Sequence, residues 1–179
     1  MRVAEQYSHK NGEAFIHEHF DYLLREIEAI IASVDAKQCQ TKISKEKTMP
    51  GRVLYSPKSL NAAFEAELKR FGWQKPRIIA NSYASGRHSG YREMDGVKDG
   101  LGVEVQFGKY AFLTYDIIAK MVIFAKRGHI KAGVEICPMK TLTDQMSTGI
   151  GNFHQLVWDL QQRGVSDIDI PVLVLGIEP

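Results

Sequence analysis

Cysteine is scarce in this chain, and its scarcity closes off several chemistries. The two residues, Cys39 and Cys137, lie far apart with no CxxC pair and no clustered histidines, so a disulfide framework and zinc-finger spacing are both absent. Both read as free thiols. Excess charge is lacking as well: 23 Lys and Arg against 21 Asp and Glu leave +2, which neither demands nor excludes a nucleic acid, because a dimer can still gather its basic residues in one cleft. No apolar run approaches the ~20 residues that span a bilayer, and Met1–Lys10 is too polar for a signal peptide, so the expectation is an intracellular, cytoplasmic protein without a membrane partner. Internal repeats are missing too. What remains is ordinary globular composition, 44% hydrophobic and 25% charged over 179 residues, which predicts one domain, 1–179, with a sizeable core.

Asn11 stands where it can cap a helix that Glu13 helps to start, and Ile16, Phe20, Leu23, Leu24, Ile27, Ile30, Ile31 and Val34 recur at helical spacing, which predicts an amphipathic helix over 12–34. The next segment, KQCQTKISKEKTMPGR, sets Lys37, Lys42, Lys45, Lys47 and Arg52 against Glu46 alone. It reads as a basic loop, either solvated or contacting phosphates. Ser56-Pro57 opens a second helix, 57–71, that Gly72 ends, and Trp73 reads as packing at the helix end. Arg77–Ala80 predicts a short strand and 82–90 a Ser- and Gly-rich loop, whose His88 has no ligand-spaced partner. Further on, the spacing predicts a helix over 111–127, a strand over 131–137, a loop over 144–152, a helix from Phe153 to Gly164 and a buried strand over 171–177. The strand 102–107, the helix after it and the strand 131–137 make a right-handed β-α-β unit. The fold class is therefore α/β, a mixed β-sheet flanked by helices.

Chemistry concentrates in YREMDGVKDGLGVEVQFGKY, residues 91–110. Asp99-Gly100 between two strand-like runs is a two-residue hairpin turn, because both residues tolerate positive φ. In that register positions summing to 199 face each other, so Asp95 opposes Glu104. Opposed like charges roughly 5 Å apart are destabilising unless something positive sits between them. A metal ion would answer that, while a polar outer face of an ordinary hairpin is the alternative. With no His or Cys nearby the donors are hard oxygens, which suit Mg²⁺ held by Asp95, Glu104 and the carbonyl of Val105, with a phosphodiester as substrate. Gln106 shares the face of Glu104 and, being unable to titrate, would orient water or phosphate. Glu135 reads as structural, and Lys131 and Lys140 as surface lysines.

The order Asp95, Glu104, Gln106 resembles the D…(D/E)xK arrangement of the PD-(D/E)xK nucleases, with Gln in place of Lys. Together with EVQFGKY, the segments SKEKT, LYSP, GVEI, PMK and MSTGI resemble the BstYI/BglII group of type II restriction endonucleases, over nearly the whole chain. The resemblance implies a restriction-endonuclease-like core and a homodimeric, Mg²⁺-dependent enzyme that cuts palindromic double-stranded DNA at a six-base-pair site centred on GATC, leaving 5′ overhangs. It implies Asp95, Glu104 and Gln106 in the active site and dimerisation through helices that include 111–127. Base-reading loops map to Gly108-Lys109 and to Met146, Ser147 and Thr148, while Lys45 and Lys47 approach the backbone. Gly108, Lys109 and Thr148 fall where such loops vary with the outer base pair, and the segment between Arg77 and Tyr91 is shorter than in the group. A non-catalytic DNA-binding homologue and a repair or junction nuclease of the same superfamily are the alternatives.

Overall fold

The computed structural model describes residues 1–81 and 88–179. Five strands make the central sheet: β1 (Arg2–His9), β6 (Gly96–Lys98), β7 (Leu101–Val105), β8 (Ala132–Pro138) and β9 (Val172–Glu178). Their order is β1-β9-β8-β7-β6; β7, β8 and β9 run parallel, and antiparallel β1 and β6 form the edges. This is the expected mixed α/β sheet, and β7, the helical run after it and parallel β8 form the expected β-α-β unit.

The strand period of two divides the molecule into two apolar layers. Leu101, Val103 and Val105 with Ala132, Val134 and Ile136 face α1 (Gly12–Ser33) and α2 (Pro57–Arg70). Alternate positions, among them Cys137, Val172 and Val174, face the helical run 110–126 and α6 (Phe153–Arg163). That run consists of α3 (Tyr110–Tyr115), a π-helical stretch (Asp116–Met121) and α4 (Val122–Lys126). It approaches the sheet closely because Gly133 has no Cβ, which would lie 2.4 Å from Met121 Sδ. Glu104 and Glu135 occupy the same alternate positions, so two acids point toward a helix from inside the sheet.

Several local expectations change. The polar N-terminal decapeptide forms β1, paired with β9 from Arg2↔Glu178 to His9↔Val172; as an edge strand it is mostly exposed and carries little apolar periodicity. Asn11 precedes α1 in the left-handed region without a side-chain cap bond, and Ser8 Oγ instead accepts from Glu13 N. The basic loop is pinned at its ends by a 3-10 turn (Ala36–Cys39) and by β2 (Lys42–Ile43) pairing with β3 (Val53–Leu54). Of the loop expected at 82–90, residues 82–87 lie outside the described residues, whereas His88 belongs to β5 (His88–Glu93), paired with β4 (Arg77–Asn81). Ser56 caps α2 as expected, and Trp73 is buried at its end. A short helix, α5 (Lys140–Thr143), precedes the loop into α6, which opens with an Asn152–Gln155 capping box. No described helix is long and apolar enough to cross a membrane.

Candidate active site

The hairpin β6–β7 turns through Asp99 at φ 48° and Gly100 at φ 92°, and its register pairs Gly96 with Val103, Val97 with Gly102 and Lys98 with Leu101. The ladder stops one residue short of Asp95. Instead of a backbone acceptor, the Asp95 carboxylate takes the next N–H of β7: its Oδ2 accepts from Val105 N at 3.0 Å. Because a strand residue's N–H and C=O leave on the same edge, the Val105 carbonyl lies on the Asp95 side.

Glu104 goes to the other side of its strand and is only 2% exposed. Its Oε2 accepts from Lys120 Nζ at 2.8 Å, while Oε1 is buried without a hydrogen-bond partner among the described residues. Burial and then the negative charge of Asp95 push the Glu104 carboxyl well above the usual carboxylate range. Lys120 also bonds Asp116 Oδ1 at 2.7 Å. Asp116 Oδ2 accepts from Gln106 Nε2 at 2.9 Å, and Gln106 Oε1 accepts from Gly108 N at 2.8 Å. Gln106 thus shares the Glu104 face, and its amide donates one bond to Asp116 and accepts one from Gly108 N. Burial opposes the charge of Lys120, yet Glu104 and Asp116 outweigh it and hold the ammonium above its ordinary pKa. Glu135 adjoins Glu104 in register, is 0% exposed and has no hydrogen-bond partner on either oxygen among the described residues; burial pushes its carboxyl well above the usual range.

On the opposite side Asp95 borders a cleft of about 220 Å³ with Asn61, Phe64, Glu65 and Leu68 of α2, Lys75 and Val105. Lys75 Nζ bonds Glu65 Oε1 at 2.9 Å and Glu93 Oε1 at 3.3 Å.

The residues expected to read DNA also gather. Lys109 bridges Ile150, and Gly151 N donates to Gly108 O at 3.2 Å, so the segment after β7 lies beside the loop carrying Ser147 and Thr148. From the basic arm, Lys42 bonds Ser147 Oγ, and both carboxylate oxygens of Glu46 accept from Thr148 N at 3.3 Å. Lys45 and Lys47 flank Glu46 and are exposed.

A model of the restriction endonuclease BglII/BglIII family matches residues 4–177. The chain belongs to the BglII/BglIII restriction endonuclease family. It is accordingly a type II restriction endonuclease, a hydrolase acting on DNA. Restriction endonuclease BglII complexed with a DNA 16-mer superposes with a TM-score of 0.75 at 18% identity, over 100% of this chain and 79% of that one. Free BglII superposes with a TM-score of 0.65, again at 18% identity, over 100% of this chain and 80% of that one. Comparison with curated protein sequences returns no match.

Whether this BglII-family chain can hold a divalent ion is a question about its donors. Among the described residues no three His, Cys, Asp or Glu side chains form a ready-made ligand set. The candidate donors are Asp95, Glu104 and the Val105 carbonyl, and the orphaned Glu104 Oε1 fits a cation, because a buried carboxylate oxygen without a donor is costly to leave bare. Sequence reasoning missed Lys120 and Asp116. A signal existed: they stand four apart within the stripe Leu113, Ile117, Met121, Phe124, where charge is out of place unless paired. Asn61, Glu65 and Lys75 had no such signal, since they reach the cleft only through the packing of α2.

Proposed function

We propose that this enzyme is a homodimeric, Mg²⁺-dependent endonuclease of the BstYI-like branch, one cytoplasmic domain over 1–179, that cuts double-stranded DNA at a palindromic six-base-pair site centred on GATC and leaves 5′ overhangs. The observation that carries the reading is the pair of acids at the end of β7: Asp95 anchored through Val105 N, and Glu104 anchored through Lys120 with its other oxygen unpartnered. Asp95, Glu104 and the Val105 carbonyl would hold Mg²⁺, an ion that suits oxygen donors and retains waters for phosphate chemistry. When bound, the ion supplies Lewis acidity to the scissile phosphate and a more acidic water.

The protein's own groups do the rest. The Val105 N–H holds Asp95 in one orientation, and Lys120 does the same for Glu104. Gln106, in place of the usual lysine, holds Asp116 and through it Lys120. Lys75 puts an ammonium in the cleft beside Asp95, where it can meet a backbone phosphate. Lys109, Ser147 and Thr148 present donors and acceptors suited to base edges, while Lys45 and Lys47 face the DNA backbone.

Incubation with Mg²⁺ and duplexes carrying AGATCT, GGATCC, AGATCC and a random-flank GATC library, followed by sequencing of the ends, tests the reading. Cleavage at GATC-centred sites with 5′ overhangs, abolished by chelation, is expected. Cutting confined to other sequences would overturn the specificity, and cutting that survives chelation would overturn the metal.

A further inference from the structure

We infer that Lys120 is a positioning residue for the metal-binding carboxylate: it anchors one oxygen of Glu104 so that the other is left to face the ion. This rests on the reading of Asp95 and Glu104 as the metal-binding acids. Lys120 is largely buried, and two of its three donor directions go to Glu104 Oε2 and Asp116 Oδ1. That leaves it poorly placed to meet DNA, so its effect must pass through Glu104. The two oxygens of Glu104 differ accordingly, one fixed at 2.8 Å from the ammonium and the other without a partner.

The anchor is itself held along a chain of single hydrogen bonds: Gly108 N to Gln106 Oε1, Gln106 Nε2 to Asp116 Oδ2, and Lys120 to Asp116 Oδ1. Two local features make this reach possible. Gly108 has no Cβ, which would fall 2.4 Å from Gln106 Oε1 and push that amide off its present bonds, and Gly133 has none to displace Met121 of the π-helical stretch. The π-helical stretch begins at Asp116 and includes Lys120, and such widened turns are frequent where a helix positions functional groups. The cation missing from the position of Gln106 is thus present in space, carried by the following helix and steered by Gln106.

Groups that orient metal ligands from behind change metal affinity or activity by about 10–100-fold when removed. Mn²⁺ titration of the full chain, followed by the electron paramagnetic resonance of the free ion, reads this without cleavage. K120M is expected to weaken Mn²⁺ binding by about 10–100-fold, K120R to recover much of it, and K120M/Q106A to bind no more weakly than K120M, because the two residues act in series. If circular dichroism shows K120M unfolded, D116N and Q106A take its place and should weaken binding in the same direction. Mn²⁺ affinity that is unchanged or tighter in the folded variants, while E104Q loses the ion, would overturn the role of Lys120 alone. Parental affinity in both E104Q and D95N would overturn the metal reading and this inference with it.

Discussion

Two acidic sites in this molecule face opposite demands, and the difference sets what each substitution does. Glu104 and Asp116 crowd negative charge around the Lys120 ammonium, and Asp95 adds repulsion on Glu104, an arrangement with little structural benefit unless a cation joins it. D95N and E104A should therefore reduce Mg²⁺-dependent cleavage on the order of 10³-fold, the loss of several kcal/mol of transition-state stabilisation. DNA binding in gel-shift assays should survive, since neither is assigned a DNA contact, and full cleavage by either variant would rule out this site. Asp169 is the contrary case: it accepts two bonds from Arg163, one from Ser166 N and one shared with His9, and is satisfied within the fold. Arg163 foremost holds its carboxyl far below the ordinary range, despite burial acting the other way. A depressed acid contributes stability above its unfolded pKa of ~3.9 and loses it as pH falls toward the folded value. D169N should thus lower unfolding free energy by about 3 kcal/mol at neutral pH, with the gap from the parent closing only below ~4. A gap that does not change with pH would show that poorer packing, not charge, is responsible.

The arm between β2 and β3 and the loop 146–150 are bonded into one unit, which the proposed reading assigns to DNA recognition. Glu46 grips the Thr148 N–H from the arm, while Lys45 and Lys47 on either side stay exposed. Phosphate neutralisation carries the salt dependence of DNA binding, about 0.9 in log–log slope for each phosphate. K45A/K47A should weaken binding evenly across sequences and flatten that slope by about 0.9 for each phosphate the two lysines neutralise. An unchanged slope would remove these lysines from the backbone surface. The arm also shows where sequence was informative. The Asp99-Gly100 turn was legible because two consecutive positive φ values have few chemical solutions, and with it the register from Lys98↔Leu101 to Gly96↔Val103. β9 was legible as an apolar run because both of its faces are buried. β1 was not, because an edge strand has one neighbour and little apolar pattern. Lys120 was not either, since its partner is a strand residue whose proximity depends on how a π-helical stretch lies against Gly133. The closing of the arm onto Ser147 and Thr148 joins residues about a hundred positions apart; local pattern carries no record of such a meeting.

At the scale of the whole molecule, the proposed palindromic target would call for two copies related by a two-fold axis, each cutting one strand. The helices after β7 offer a surface for that pairing. α3 and α6 are tied together by Tyr110 Oη to Asp159 at 2.6 Å and Thr114 Oγ1 to Asp159 at 2.9 Å, and from this pair Phe112 and Trp158 project 53% and 60% exposed. Exposed tryptophan is the side chain most often found to dominate association energy, at about 2 kcal/mol or more when truncated, which is about 30-fold in Kd. The prediction is a parental dimer by analytical ultracentrifugation and a shift toward monomer in F112A/W158A, with circular dichroism unchanged because neither side chain belongs to the described core. Cleavage should fall steeply with dilution in the variant and recover as concentration is raised, the signature of an enzyme that works only when two half-sites are read together. A variant that stays dimeric at parental affinity would move the interface off this face, and a parent that is monomeric both alone and on its DNA would remove the two-fold arrangement altogether.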